Sequence, residues 1–86
     1  MKITFTPKAF DQYNNWNDND KDLFEKIKEL VKQTLRDPFK GIGKPEPLKG
    51  NYKGFWSRRI NQEHRLIYRV TSDAIEIVNC KGHYTE

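Results

Sequence analysis

The sequence predicts an α+β fold: an N-terminal strand, then two helices packed on a small antiparallel β-sheet. Three observations carry this reading. Apolar residues recur at helical spacing between Ala9 and Leu35. Residues 38–54 then hold three of the four prolines and four of the five glycines, which ends the helical region and opens a long ordered loop. From Phe55 onward, short runs rich in apolar residues are separated by Asn61-Gln62-Glu63 and Thr71-Ser72-Asp73, the pattern of strands joined by turns.

Taken in order, Ile3 and Phe5 alternate with Lys2, Thr4 and Thr6 as a short amphipathic strand. Thr6-Pro7 reads as an N-cap followed by proline at the first helical position. Ala9, Phe10, Tyr13 and Trp16 share a helical face, so the first helix is expected to reach about Asn17, with Asn17-Asp18-Asn19 as a turn. Asp20 and Asp22 suit the positive end of a second helix. Its apolar stripe is Leu23, Ile27, Leu30, Val31, Thr34 and Leu35; Arg36 lies near its end and Asp37-Pro38 stops it. In the loop, Pro45-Glu46-Pro47 holds one carboxylate between two fixed φ angles.

Strands are expected over 55–60, 64–70 and from 74 to about 82. In the middle strand Leu66, Tyr68 and Val70 share the face that should pack on the helices. Arg65, Ile67 and Arg69 share the other, left open to a ligand. The last strand alternates at Ile75 and Ile77, then switches to Val78 and Cys80. A bulge near Val78 accounts for the switch and is expected to bring Asn79, Lys81 and His83 onto the face of Arg65.

The 86 residues make a single domain spanning 1–86. Cys80 is alone and reads as a small buried hydrophobe. The N-terminus lacks the apolar run of a secretion signal, and no stretch approaches transmembrane length, so a cytoplasmic protein with no membrane partner is expected. Lys and Arg total 16 against 12 acidic residues, giving +4 and a pI near 9.3, a balance that attracts polyanions. The charge is uneven: residues 49–69 carry Lys49, Lys53, Arg58, Arg59, Arg65 and Arg69 against one acid, Glu63. His64, Cys80 and His83 match no zinc spacing, and Gly41 and Gly43 lack the strand–loop–helix setting of a phosphate loop, so no cofactor or metal is expected.

Cleaving RNA without a metal takes a base to remove the 2′-hydroxyl proton, cations to steady the phosphate and an acid to protonate the leaving 5′-oxygen. Glu46, Glu63, His64, His83, Lys49, Arg59 and Arg65 supply those groups, and the chain ends His83-Tyr84-Thr85-Glu86. Each also has a plain structural reading. Glu46, Lys49 and Arg59 suit solvated surface charges, and Arg65 suits a pair with Glu63 or Glu76. His64 suits a cap or packing residue at the strand start, the role favoured for it.

The stretches Gly43-Lys44-Pro45-Glu46-Pro47-Leu48-Lys49, Gly54-Phe55-Trp56-Ser57-Arg58-Arg59-Ile60 and Glu63-His64-Arg65-Leu66-Ile67-Tyr68, with the terminal His83-Tyr84, resemble the YoeB-type toxins of the RelE superfamily. The opening strand, Trp16 and a second helix ending before Asp37-Pro38-Phe39 extend the resemblance over essentially the whole chain. It implies a RelE-like, microbial ribonuclease-like fold. It also implies the toxin of a bacterial type II toxin–antitoxin pair, a ribosome-dependent mRNA endoribonuclease that inhibits translation. On matching positions it implies Glu46 as general base, Arg65 as the cation on the scissile phosphate, His83 as general acid and Tyr84 as an aromatic partner for the substrate. Lys49 and Arg59 are implied as RNA-binding cations at the site edge, with Glu63 in support. The family pattern ends at the tyrosine, whereas Thr85 and Glu86 follow here. The implied partners are a YefM-like antitoxin with an acidic C-terminal segment, the 70S ribosome and mRNA; homodimers are known in the family. Two other classes stay open: a non-catalytic, gyrase-inhibiting ParE-type toxin on the same scaffold, and an RNA-binding module using Phe55-Trp56-Ser57-Arg58-Arg59 to stack bases and hold phosphates.

Overall fold

The protein's structure, a computed structural model, describes residues 1–83, so the expected role of Tyr84 and the Thr85-Glu86 extension lie outside the described residues. Strand β1 (Lys2–Phe5) leads into helices α1 (Pro7–Asn19) and α2 (Lys21–Arg36). Then come β2 (Glu46–Pro47), a 3₁₀ turn over Gly50–Tyr52, β3 (Phe55–Arg59), β4 (Arg65–Val70) and β5 (Ala74–Asn79). Thr6 Oγ1 accepts from the Ala9 N–H at 3.2 Å, so α1 starts at its expected cap. It does not stop near Asn17: the expected turn at 17–19 is helical. Asp20 alone joins the helices. Its N–H closes α1 on the Trp16 carbonyl at 2.8 Å, and its carboxylate opens α2 by accepting from the Leu23 N–H at 3.1 Å. With one residue capping both ends, no separate turn is needed.

The strands lie in the order β1-β5-β4-β3-β2. From β2 to β5 the pairing is antiparallel, as the hairpin turns dictate. β1 joins parallel to β5, from Lys2 beside Ala74 to Phe5 beside Ile77, a pairing that only the long excursion through two helices and three strands permits. Ala9, Ile27 and Leu30 of the helices form one core with Ile60, Leu66, Tyr68, Ile75, Ile77 and Cys80. Burying each large apolar chain contributes about 1.5–3 kcal/mol. The opposite face carries Ser57, Arg59, Arg65, Ile67 and Arg69 and is not wholly polar, because Ile67 is only 2% exposed.

The expected bulge is present: Tyr68 pairs with Ile77 while Ile67 pairs with Asn79, leaving Val78 as the extra residue. Only part of its expected consequence follows. Asn79 bridges the Gln12 amide of α1 and the Arg65 carbonyl. Lys81 does not join the Arg65 face; its ammonium lies 5.9 Å from the centre of the Trp16 ring.

The segment expected as loop contains an edge strand. Gly43 accepts from the Arg59 N–H at 2.6 Å, Glu46 and Pro47 pair with Ser57 and Trp56, and the Leu48 N–H donates to the Phe55 carbonyl at 2.9 Å. Pro47 cannot offer an N–H to a further strand, which protects this edge. Gly43 is required here. Its φ is +81°, and a Cβ would lie 3.0–3.1 Å from Leu30, Arg58 and the Arg59 carbonyl.

The loop is held from inside by Arg58. Expected among the basic surface residues, Arg58 is instead fully buried. Its guanidinium donates to the carbonyls of Ile42 at 2.9 Å, Lys40 at 3.0 Å and Asp37, and to the Tyr68 hydroxyl at 3.2 Å. The Tyr68 hydroxyl in turn donates to the Pro38 carbonyl at 2.6 Å.

Burial pushes the Cys80 thiol up to about 12. The unfolded thiol ionises near 9, so the unfolded state releases its proton first as pH rises. Stability from this group is complete below pH 9 and falls by about 1.4 kcal/mol per pH unit above it. Urea melts between pH 8 and pH 10.5 should show that decline, and Cys80→Ala should flatten it; an equal decline in the variant would remove Cys80 as its source.

Candidate active site

Antiparallel register decides which of the expected residues meet. Glu46 on β2 pairs with Ser57 on β3, which pairs with Ile67 on β4. These residues form one cross-strand row, and Arg59 and Arg65 pair directly in the adjacent row. Since side chains alternate along a strand, Glu46, Arg59 and Arg65 share the face turned away from the helices. Strand spacing puts the Cα atoms of Glu46 and Arg65 about 12 Å apart, room for a phosphodiester between their side chains. Past β4, the Arg65 N–H donates to the Gly82 carbonyl at 3.0 Å, so His83 follows directly from a ladder bond beside Arg65.

Arg65 is fixed in place by the turn that precedes it. Its Nη1 donates to the carbonyls of Asn61 at 2.6 Å, His64 at 3.0 Å and Gln62 at 3.3 Å. That answers the expectation of a pair with Glu63 or Glu76: Arg65 pairs with neither, and Glu76 takes Arg69 at 2.7 Å. The Nε–Nη2 edge of Arg65 has no hydrogen-bond partner among the described residues. A guanidinium held by one end and open along that edge is shaped to grip two phosphate oxygens.

The structure sorts the cations of the basic stretch. Arg58 is buried, and Arg69 is tied to Glu76 and lies 5.8 Å from the Phe55 ring centre. Arg59 and Lys49 are exposed and form no ion pair with a described residue, and Glu46 and His83 are likewise exposed and unpaired. Lys49 flanks the 3₁₀ turn just after Glu46. Exposed charge left without a counter-charge is the part of a surface that a polyanion engages.

Glu63 sits in the β3–β4 turn, 3.6 Å from His64 Nε2. His64 is buried, stacks edge-on to Trp16 at 4.8 Å between centroids, and accepts at Nδ1 from the Gly82 N–H at 2.8 Å. It is a packing residue at the strand start, as favoured from the sequence.

A cleft of about 630 Å³ opens where α2, the 42–44 segment and the β3–β4 turn converge. Leu30, Ile42 and Ile60 give it an apolar lining, and Lys26, Lys44, Arg59 and Arg65 a cationic one. Of the expected site residues it takes in only Arg59 and Arg65. Lys26 and Lys44 were not singled out from the sequence. Only the left-handed φ of 51° at Lys44 marks it locally, and a sequence does not display that. Glu46 lies instead on open sheet surface.

Two helices on a mixed five-stranded sheet define an α+β fold of the RelE-like toxin kind. The YoeB/ParE toxin from Agrobacterium tumefaciens superimposes with a TM-score of 0.95 at 45% identity, over 98% of this chain and all of that one. A Staphylococcus aureus toxin solved as a YoeB dimer and in a YoeB–YefM complex superimposes at 0.90, with 50% and 49% identity over 98% of each chain. The toxin YoeB of Escherichia coli is 52% identical over 84 residues, 98% of this chain and all of that protein. Residues 5–84 match the model of the YoeB-like toxins of bacterial type II toxin–antitoxin systems, and the chain belongs to that family.

Proposed function

We propose that this toxin is a metal-independent, ribosome-dependent endoribonuclease that cuts mRNA in the ribosomal A site and so inhibits translation. The observation that carries the reading is the sheet face on which register gathers Glu46, Arg59 and Arg65, with His83 following the ladder bond at Arg65. Glu46 takes the 2′-hydroxyl proton, and the freed oxygen attacks the adjacent phosphorus. Arg65, with Arg59 and Lys49, steadies the charge that builds on the phosphate oxygens. The bond to the 5′-oxygen breaks as His83 protonates it, leaving a 2′,3′-cyclic phosphate and a 5′-hydroxyl. Need of the 2′-hydroxyl makes the substrate RNA. Tyr84 holds the substrate against the site, and Glu63 supports it. Glu46 lies exposed on sheet surface that the described residues leave open, so the ribosome supplies the orientation of the mRNA.

The same unpaired cations suit the acidic C-terminal segment of a YefM-like antitoxin, which would cover the site. The Staphylococcus aureus complex and dimer support a cognate antitoxin and a homodimer as partners. Action on ribosomes places the protein in the cytoplasm; among the described residues no helix is long and apolar enough to cross a membrane.

The test uses programmed ribosomes and end-labelled mRNA. A single cut in the A-site codon with a cyclic phosphate end is expected. Tight ribosome or RNA binding without a cut would replace the reading with a binding module. Neither cut nor binding would point to another target, such as gyrase.

A further inference from the structure

We infer that His64 is a positioning residue that aims His83, through an acceptor it presents to the N–H of Gly82, the residue just before it. The inference rests on the reading of His83 as general acid. Both polar groups of Gly82 are gripped by consecutive residues of the β4 start: His64 Nδ1 accepts from its N–H at 2.8 Å, and the Arg65 N–H donates to its carbonyl at 3.0 Å. The peptide that precedes the acid is therefore tied to the backbone of the phosphate-binding arginine. Because Nδ1 accepts, the neutral ring carries its proton on Nε2, the nitrogen that faces Glu63 Oε1 at 3.6 Å.

The ring itself is clamped. Trp16 packs edge-on against it, and the same indole donates to the Cys80 carbonyl at 2.9 Å. Gln12 takes the Cys80 N–H at 2.7 Å. From Cys80 to Gly82 the chain is thus bonded to α1 and to β4 together. Gly82 has a φ of +77°, and a Cβ there would meet nothing within 4 Å. The glycine serves the backbone turn that leads into His83, and not close packing. An apolar side chain at position 64 would fill the pocket beneath Trp16 as well as imidazole does. What it would lack is the acceptor for the Gly82 N–H, which explains a histidine in that buried place.

The test compares His64→Asn, whose side-chain oxygen falls near the place of Nδ1, with His64→Gln, whose oxygen falls near that of Nε2. Cleavage on programmed ribosomes, ribosome affinity, thermal melting and exchange of the Gly82 amide are measured for both. His64→Gln should lose about 10- to 100-fold in kcat, the scale of a reacting group displaced by about 1 Å, with ribosome affinity within about twofold of the unsubstituted protein by the same reasoning. Its Gly82 amide should exchange faster. His64→Asn should keep the protected amide and most of kcat. If His64→Gln does not fold, His64→Phe takes its place, since it keeps the ring against Trp16 and lacks the acceptor. Equal loss in the Asn and Gln variants, or no loss in either, overturns the inference. If the unsubstituted protein does not cut, the nuclease reading fails, while Gly82 exchange still decides whether His64 holds that peptide.

Discussion

Glu46→Gln and His83→Ala should each slow mRNA cleavage by about 10²- to 10⁴-fold, the contribution of one positioned base or acid, while leaving the protein folded. The argument for the rate lies in what each residue touches. Both are exposed and without a partner among the described residues, so neither has a structural bond to lose. Glu46 sits on an edge strand whose pairing runs through the backbone, and glutamine preserves that pairing and the side-chain shape. The stability change should stay within about 0.5 kcal/mol, as for ordinary surface substitutions. Cleavage rates on programmed ribosomes, beside urea melts of the same preparations, check both halves. Near-normal cutting by both variants would sink the assignment of base and acid. Lost cutting together with a lost melting transition would mean that the residues hold the fold instead.

The largest expected stability effect belongs to a residue outside the chemistry. Arg58→Leu should destabilise the protein by about 3–5 kcal/mol, the scale for breaking a buried, hydrogen-bonded charge network. Three loop carbonyls and the Tyr68 hydroxyl lose their donor at once. Leucine can fill much of the volume but satisfies none of those oxygens. Arg58→Lys should recover little, because one ammonium cannot span four acceptors spread from Asp37 to Tyr68. Denaturant melts give the magnitude. Amide exchange should place the loosening in residues 37–43, and with it at the Arg59–Gly43 bond that fixes one side of the cationic cleft. A variant as stable as the parent would mean that water replaces the guanidinium and that the loop needs no anchor.

Much of this fold was legible because local signals agreed with the global one. The Thr6-Pro7 cap, the stop at Asp37-Pro38, the two-faced β4 and the bulge at Val78 all rest on residue type at fixed spacing. The gathering of Glu46, Arg59 and Arg65 on one face does not: it depends on the β2–β3 pairing of a segment that reads as loop. What the sequence concealed depends on contacts between distant segments. Nothing near Arg58 distinguishes it from Arg59, yet alternation sends one under the loop and leaves the other in water. Asn17-Asp18-Asn19 looks like a turn by composition, but Asp20 can cap both helices, so the helix runs on through it. A Pro-Glu-Pro segment disfavours a central strand and is accepted at an edge. The carbonyl cradle of Arg65 and the grip of His64 on Gly82 come from turn geometry that no spacing rule encodes.

The parallel partnership of β1 with β5 also sets when this molecule can exist at all. β5 lies between β1 and β4, so until it arrives the sheet is in two pieces and the helices have only part of their floor. β5 is therefore the strand that completes the core, and the histidine read as the acid comes after it. Closing a loop of nearly the whole chain length makes that step late and cooperative. A chain in which β5 has not docked has neither a finished core nor the bonds that hold Gly82, the residue before His83.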